Sequence, residues 1–517
     1  MKKNWQHIVC IILVLIYLVL VSYKNYCTPV PKDEEVYITG GYLVLEGLIP
    51  YKDFFDVKPI VIYVMNALGL LLFGTRGCAF RLMPYVFIFP AIILFYFTMI
   101  RQKIFWLFSF LITLYTSFIL LHYDFHDLGS NNDTETYGFI FAVFSYAAFF
   151  WSYPRKEKKK FYFTHFLGGM FFMMALFSKE PFFYGLAPLL SFTFFDLHPF
   201  KFQFRKFFSI GLGISFVLFF FLLYLILTDS LEAYIDRVEY CIGYSKQFAT
   251  LVGFEIPGGF LGKLIYDFEH LKIGFKNFLI FSPLFGFYFF AFYFNRINLK
   301  ILVCIIAIIL GLYGVSISHC FWKHNFSIGV FPFIGLAILG AKDLSGFMEQ
   351  HREILFEKLF FVILLIAMPL FLFYKIYPPF KSACNFLKSP HYRYDLSYRY
   401  PEFSRNISPI INRYTTYNDR VFYEKSPIFY LLSKRKPAAK YIEFADCFLS
   451  IDTRKTPGKK RRELFTKELK KNKPKLVYIY QGENTKNLKS RARLLTYIKR
   501  NGYKYVDSGI YIREAIK

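Results

Sequence analysis

The chain has 517 residues, 55% of them hydrophobic and 22% aromatic, with a mean hydropathy of +0.36 and a net charge of +27. That balance excludes an ordinary soluble globular domain and asks for a bilayer as solvent. Eight cysteines placed singly, with no Cys-x-x-Cys pair, exclude a disulfide scaffold or a zinc site as the organising feature.

In chain order, Met1-Lys2-Lys3 precedes an apolar run over 8–22 with no small-residue cleavage site behind it, which predicts an uncleaved first helix and a cytoplasmic N-terminus. Further apolar runs predict spans at 82–100, 104–122, 136–153, 161–177, 182–196, 207–228, 275–294, 299–317, 325–341 and 357–375. The fold class is therefore a polytopic α-helical membrane protein of about eleven transmembrane helices.

One shorter apolar segment, Pro59 to Gly74, sets the parity of everything after it. If it does not cross, the basic loops 101–103, 155–160, 201–206, 295–300 and 342–358 all fall inside, as the positive-inside rule requires. The same choice places 24–58, 123–135, 178–181, 229–272, 318–324 and the C-terminal domain outside.

Pro378-Pro379 is expected to end the last helix, so the reading divides the chain into a membrane domain, 1–376, and an extracytoplasmic domain, 377–517. The latter holds 32 Lys and Arg against 12 Asp and Glu, so most of the net charge lies there. It predicts helices over Arg461–Lys471 and Leu488–Arg500, a buried strand over Leu476–Tyr480, and short strands over Tyr503–Val506 and Ile510–Arg513. Together these make a small α/β soluble domain. Its charge suits anionic lipid headgroups, and no helix-turn-helix or aromatic RNA-binding pattern supports a nucleic acid partner.

The first outer loop carries Asp33-Glu34-Glu35, which reads either as the acidic first turn of a helix or as a general base at the membrane surface. An ordered set of motifs comes after it: Gly47-Leu48-Ile49-Pro50-Tyr51-Lys52-Asp53-Phe54, then Lys58-Pro59, Phe73-Gly74 and Arg81. Farther on come Asn131-Asn132-Asp133-Thr134-Glu135, Ser178-Lys179-Glu180-Pro181, His324-Asn325-Phe326 and Phe331-Pro332. This series resembles the motifs of glycosyltransferases of the C-type fold, in the branch of the dolichyl-phosphate-mannose protein mannosyltransferases and the aminoarabinose transferases. The likeness covers the membrane half well and the tail only in outline, through Asp419-Arg420-Val421 and Pro427-Ile428-Phe429-Tyr430. Asn325 stands where the family has Tyr, and Ile60 where a second proline is common.

The resemblance implies a first outer loop with juxtamembrane helices and an inverting transfer of sugar from a polyprenyl-phosphate carrier to an envelope glycolipid, glycan or protein. The inner (cytoplasmic) membrane would house it, with the site on the outer face. Attack by an acceptor hydroxyl needs a carboxylate to take its proton, and the departing lipid phosphate needs counter-charge more than it needs an acid. Asp33 and Glu34 are the catalytic candidates, Asp133 and Glu135 form a second acidic site, and Lys58, Lys179 and His324 are the phosphate-side cations. Glu34, Asp133 and Glu135 leave a divalent cation open, since the family has metal-dependent and metal-independent members.

Taken singly, each has a plainer role: Lys58 snorkelling at a helix start, Lys179 paired with Glu180, Asp133 and Glu135 capping a helix near Thr136. Two other functions stay open. A flippase or transporter of lipid-linked sugars would show Gly- or Pro-broken helices and ionisable residues at mid-helix; a non-catalytic envelope-assembly subunit would keep the fold without needing Asp33.

Overall fold

The computed structural model describes residues 5–26, 30, 32–121, 132–151, 158–197, 200–251, 284–295, 299–316, 326–350, 359–387, 400–401, 403–424, 427–441, 458–479 and 489–513. It is mostly helical, with a small sheet near the C-terminus. The chain separates into two compact units, one of residues 1–28, 84–221 and 256–392, the other of 29–83, 222–255 and 393–517.

The first unit is built from apolar helices: α1 (Trp5–Tyr26), most of α4 (Met83–Arg101), α5 (Trp106–Leu121), α6 (Thr134–Trp151), α7 (Lys158–Ser178) and α8 (Phe182–Phe194). A short antiparallel pair, β1 (Phe195–Leu197) and β2 (Phe200–Phe202), leads into α9 (Phe204–Leu227), whose residues 222–227 belong to the second unit. After α10, which belongs to the second unit, come α11 (Phe285–Asn295), α12 (Leu299–Ser316), α13 (Phe326–Gln350) and α14 (Leu359–Leu387). Each of the eleven predicted spans contains a helix among its described residues, although 104–105 precede α5 and 195–196, expected in the span 182–196, lie in β1.

Among the described residues four helical stretches, Trp5–Tyr26, Ala79–Arg101, Phe204–Leu227 and Ile328–Gln350, are long and apolar enough by length and composition to cross a bilayer, and several others are apolar but shorter. In α1 the buried residues Cys10, Val14, Tyr17, Leu18 and Val21 recur at helical spacing, while the opposite face exposes Ile8, Ile12, Leu13, Ile16 and Val19. A helix apolar all round, with half of it outward, is stable where the surroundings are hydrocarbon. Close approach of backbones depends on small residues. At Gly340 of α13 an added Cβ would run into the Phe287 carbonyl of α11, so any side chain there would drive the two helices apart.

One expectation is corrected. Pro378-Pro379 does not end the last helix, because α14 runs on to Leu387 through both prolines. The proline φ is itself a helical value, and what is lost is the pair of hydrogen bonds that residues 378 and 379 would donate to the carbonyls of Tyr374 and Lys375.

The second unit joins the first loop to the C-terminal region. It contains α2 (Lys32–Leu45), α3 (Val61–Phe73), a 3-10 turn at Arg76–Leu82 and α10 (Leu231–Leu251). After α15 (Ser408–Tyr414) come β3 (Arg420–Tyr423), α16 (Ile428–Ser433), β4 (Lys436–Pro437), α17 (Gly458–Asn472), β5 (Leu476–Tyr478), α18 (Lys489–Arg500), β6 (Tyr503–Asp507) and β7 (Ile510–Arg513). The sheet order is β4-β3-β5-β7-β6, parallel across the first three strands and antiparallel across the rest. Val421 registers with Leu476 and Leu476 with Ile512.

The predicted helices and strands of this region appear within a few residues of their expected ends. Gly502, at a φ of 69°, turns the chain after α18. The sequence pattern does not predict β3 and β4, because β3 is only four residues and β4 two, too short to show a period. The core of the domain joins Phe422, Val477 and Ile479 of the sheet region to Phe465 and Leu469 of α17 and Leu494, Tyr497 and Ile498 of α18. Phe55 of the first loop and Tyr240 of α10 belong to that same core, so the division by packing differs from the division at 376/377 read from composition.

Candidate functional site

The three acidic residues open α2, where carboxylates suit the exposed N–H groups of a first helical turn. Successive residues turn about 100° around a helix, so the three side chains meet three different surroundings. Asp33 is 71% exposed, whereas Glu34 and Glu35 are buried.

Glu34 is occupied by Arg81: the guanidinium Nε donates to Oε1 at 2.8 Å and Nη2 donates to Oε2. Glu35 accepts the Tyr400 hydroxyl at 2.6 Å. Of the two residues expected to be catalytic, Asp33 alone faces outward from the unit.

Lys58 reaches the same place from the loop before α3. Its Nζ lies 4.0 Å from Asp33 Oδ2, and 5.7 Å from the centre of the Tyr37 ring, one helical turn after Asp33. The loop is held by its own bonds. Asp53 Oδ2 accepts the N–H of Ile49 at 2.8 Å, and the Tyr51 hydroxyl donates to the Lys58 carbonyl at 2.8 Å, with Tyr51 in the left-handed region at a φ of 68°. Arg237 of α10 donates to the Val57 carbonyl and stacks over the Tyr51 ring at 5.9 Å, and the Cys241 thiol lies 3.2 Å from the same carbonyl. A bulky residue at positive φ stores strain that only surrounding contacts can hold.

Behind Lys58 sits Asp56, a residue to which the sequence pattern assigns no role. Its carboxylate accepts the Tyr63 hydroxyl and the Val57 N–H, both at 2.6 Å, and is buried. Burial pushes its carboxyl above the usual range, opposed by the Tyr63 hydrogen bond and by Lys58. The only signal for it in the sequence is an acid two positions before the Lys-Pro pair. Glu35 with Tyr400 gives no signal at all, because the partners are 365 residues apart.

The second acidic site belongs to the first unit. Asp133 Oδ1 accepts the N–H of Thr136 at 2.6 Å, the ordinary cap of α6. Glu135, buried, accepts both the Lys179 ammonium and the Thr134 hydroxyl. Lys179 stands in the tight turn between α7 and α8, where the Phe182 N–H donates to its carbonyl at 3.1 Å. Its acidic partner is therefore Glu135, across the helices, where the sequence suggested its neighbour Glu180. His324 lies outside the described residues, as do His122, His126 and His319.

Among the described residues no group of three or more His, Cys, Asp or Glu is disposed to hold a metal ion. The carboxylates considered for a divalent cation have other partners: Glu34 has Arg81, Asp133 has a backbone N–H, and Glu135 has Lys179. As arranged, they do not fit a metal centre. No protein-family model, no curated protein and no solved structure matches the chain.

The arrangement at Asp33 can do two chemical things. An exposed carboxylate can take a proton from an incoming hydroxyl, and an ammonium beside it can accept an anion in exchange for its loose ion pair.

Proposed function

We propose that the chain is a membrane glycosyltransferase of the C-type fold that moves a sugar from a polyprenyl phosphate to an envelope acceptor with inversion. The supporting observation is the pair Asp33–Lys58: an exposed carboxylate with a cation at 4.0 Å, set on a helix and a loop that are otherwise tied down. Asp33 takes the acceptor hydroxyl's proton as the new glycosidic bond forms. The bond from the anomeric carbon to phosphate breaks, and the phosphate leaves with its electron pair towards Lys58. Glu34, held by Arg81, fixes the first turn of α2 and does no proton transfer.

In this reading the chain crosses the inner membrane about eleven times, with the N-terminus inside and the Asp33 loop and C-terminal domain outside. α3 does not cross. Its 13 residues span about 20 Å against a hydrocarbon core of about 30 Å. Length alone does not decide this, since α8 also has 13 residues. The charge of the loops supports it, as does the membership of α3 in the unit of the C-terminal sheet.

A flippase of lipid-linked sugars is the second reading, favoured by prolines inside apolar helices, among them Pro90, Pro188 and Pro332. Purified protein is offered a panel of polyprenyl-phosphate sugars with envelope acceptors, and release of free polyprenyl phosphate is compared between wild type and Asp33→Asn. Release lost in Asp33→Asn with donor binding retained supports the transferase. Equal release from both removes Asp33 from the mechanism, and donor binding without release by either favours the flippase.

A further inference from the structure

The segments carrying Asp33 and Lys58 are fastened to residues 400–441 of the same unit. At the start of α2 the Tyr400 hydroxyl donates to Glu35 at 2.6 Å. Just past its end, Glu46 accepts the Tyr417 hydroxyl at 2.7 Å and pairs with Lys436 at 3.6 Å. The loop that ends in Lys58 is fastened at Phe55, whose N–H donates to the Lys440 carbonyl at 2.8 Å, with the Lys440 ammonium 5.3 Å from the Phe55 ring centre.

Residues 33 and 35 point about 200° apart around α2, so a tie on Glu35 leaves Asp33 facing outward while fixing the rotation of the turn that presents it. A separate tie on Phe55 fixes the loop that brings Lys58. Near the pair, the two segments meet at the 4.0 Å contact and the Tyr37 ring, and farther along α2 the loop packs through Phe54 against Gly40. We infer that residues 400–441 form a clamp that sets the spacing of Asp33 and Lys58, with Tyr400 as its positioning residue. The activity arm of the test rests on the proposed transfer reaction; the geometric arm does not.

Tyr400→Phe is a narrow probe, because it keeps the edge-to-face contact with Phe429, at 6.3 Å between ring centres, and removes only the hydroxyl. In the full-length protein, Asp33→Cys is alkylated with iodoacetamide across a pH series and read at residue 33 by mass spectrometry, alone and combined with Tyr400→Phe or Lys58→Met. A nearby cation favours the thiolate, so Lys58→Met raises the pH midpoint of alkylation. Tyr400→Phe raises it in the same direction by a smaller amount. Tyr497→Phe, which removes a buried hydrogen bond to the Leu469 carbonyl at 2.8 Å, controls for general loosening and leaves the midpoint in place.

With Asp33 intact, Tyr400→Phe lowers kcat for polyprenyl phosphate release by up to about 100-fold, the cost of a misplaced reacting group, and changes KM for the donor little. An unmoved midpoint in Tyr400→Phe overturns the clamp, as does a shift of equal size in the Tyr497→Phe control. If the wild type releases no polyprenyl phosphate, the transferase reading fails, and the thiol midpoints still decide the clamp.

Discussion

Arg81 meets both carboxylate oxygens of Glu34, and the two side chains are only 3% and 1% exposed. A two-point pair this well sealed joins the first turn of α2 to the 3-10 turn after α3. Removing one partner takes away the two-point counter-charge of a buried ion. Arg81→Ala is expected to cost about 3–5 kcal/mol, and Arg81→Lys to recover only part, since an ammonium cannot make the paired fork. Thermal unfolding in detergent checks this, and the double variant Arg81→Met with Glu34→Gln should be more stable than Arg81→Ala.

Glu135 and Lys179 make the corresponding pair in the first unit, with side chains 4% and 16% exposed. Lys179→Met should destabilise more than Lys179→Met combined with Glu135→Gln, giving a coupling of about 0.5–3 kcal/mol in a double-mutant cycle. Additive effects would mean that the two side chains do not share a bond.

The buried carboxyl of Asp56 gives a pH signature. Burial raises its folded pKa, so the proton is held more tightly in the folded chain than in the unfolded one. The stability linked to that proton is complete below the unfolded value of about 3.9 and is lost as pH rises through the folded value, which lies above it. Asp56→Asn cannot ionise, and it should flatten this part of the stability profile while leaving stability at neutral pH equal or higher. Asp56→Ala leaves the Tyr63 hydroxyl unsatisfied and should lose about 1–3 kcal/mol at every pH. Denaturant titrations over an acid-to-neutral series separate the two.

At Gly41 the backbone of α2 lies against that of α3. An added Cβ there would meet Asn66 Cβ at 2.6 Å and the Ala67 nitrogen at 2.7 Å, so the helices would have to part. Gly41→Ala is expected to destabilise by about 1–3 kcal/mol. If the proposed transfer holds, it should also lower polyprenyl phosphate release, because α2 carries Asp33 and α3 follows the loop that carries Lys58. Gly47→Ala, in open space but at a φ of 79°, should disturb the end of α2 and leave the α2–α3 approach intact.

Some of this was legible from local order. The apolar runs gave the helices, because burial in hydrocarbon is a property of continuous stretches, and the period of Leu494, Tyr497 and Ile498 marked α18. Asp33 and Lys58 were legible as a charge pattern beside a Lys-Pro helix start. Chemistry-bearing residue types near one another in sequence are visible there, but their surroundings are not.

What the sequence by itself determined was the apolar character that suits a bilayer, the positions of its apolar helices, the basic α/β character of its C-terminal region and the residue types available for chemistry; α10, in a segment read as a loop, was not among them. Only the tertiary structure decided which carboxylate stays exposed. Asp33, Glu34 and Glu35 are equivalent as text, and they differ because Arg81 and Tyr400, 47 and 365 residues from their partners, arrive at two of the three. It likewise decided that Asp56 is buried behind Lys58 and that the first loop folds with the C-terminal region. Those outcomes depend on contacts between segments far apart in the chain, which no local pattern of hydropathy or charge encodes.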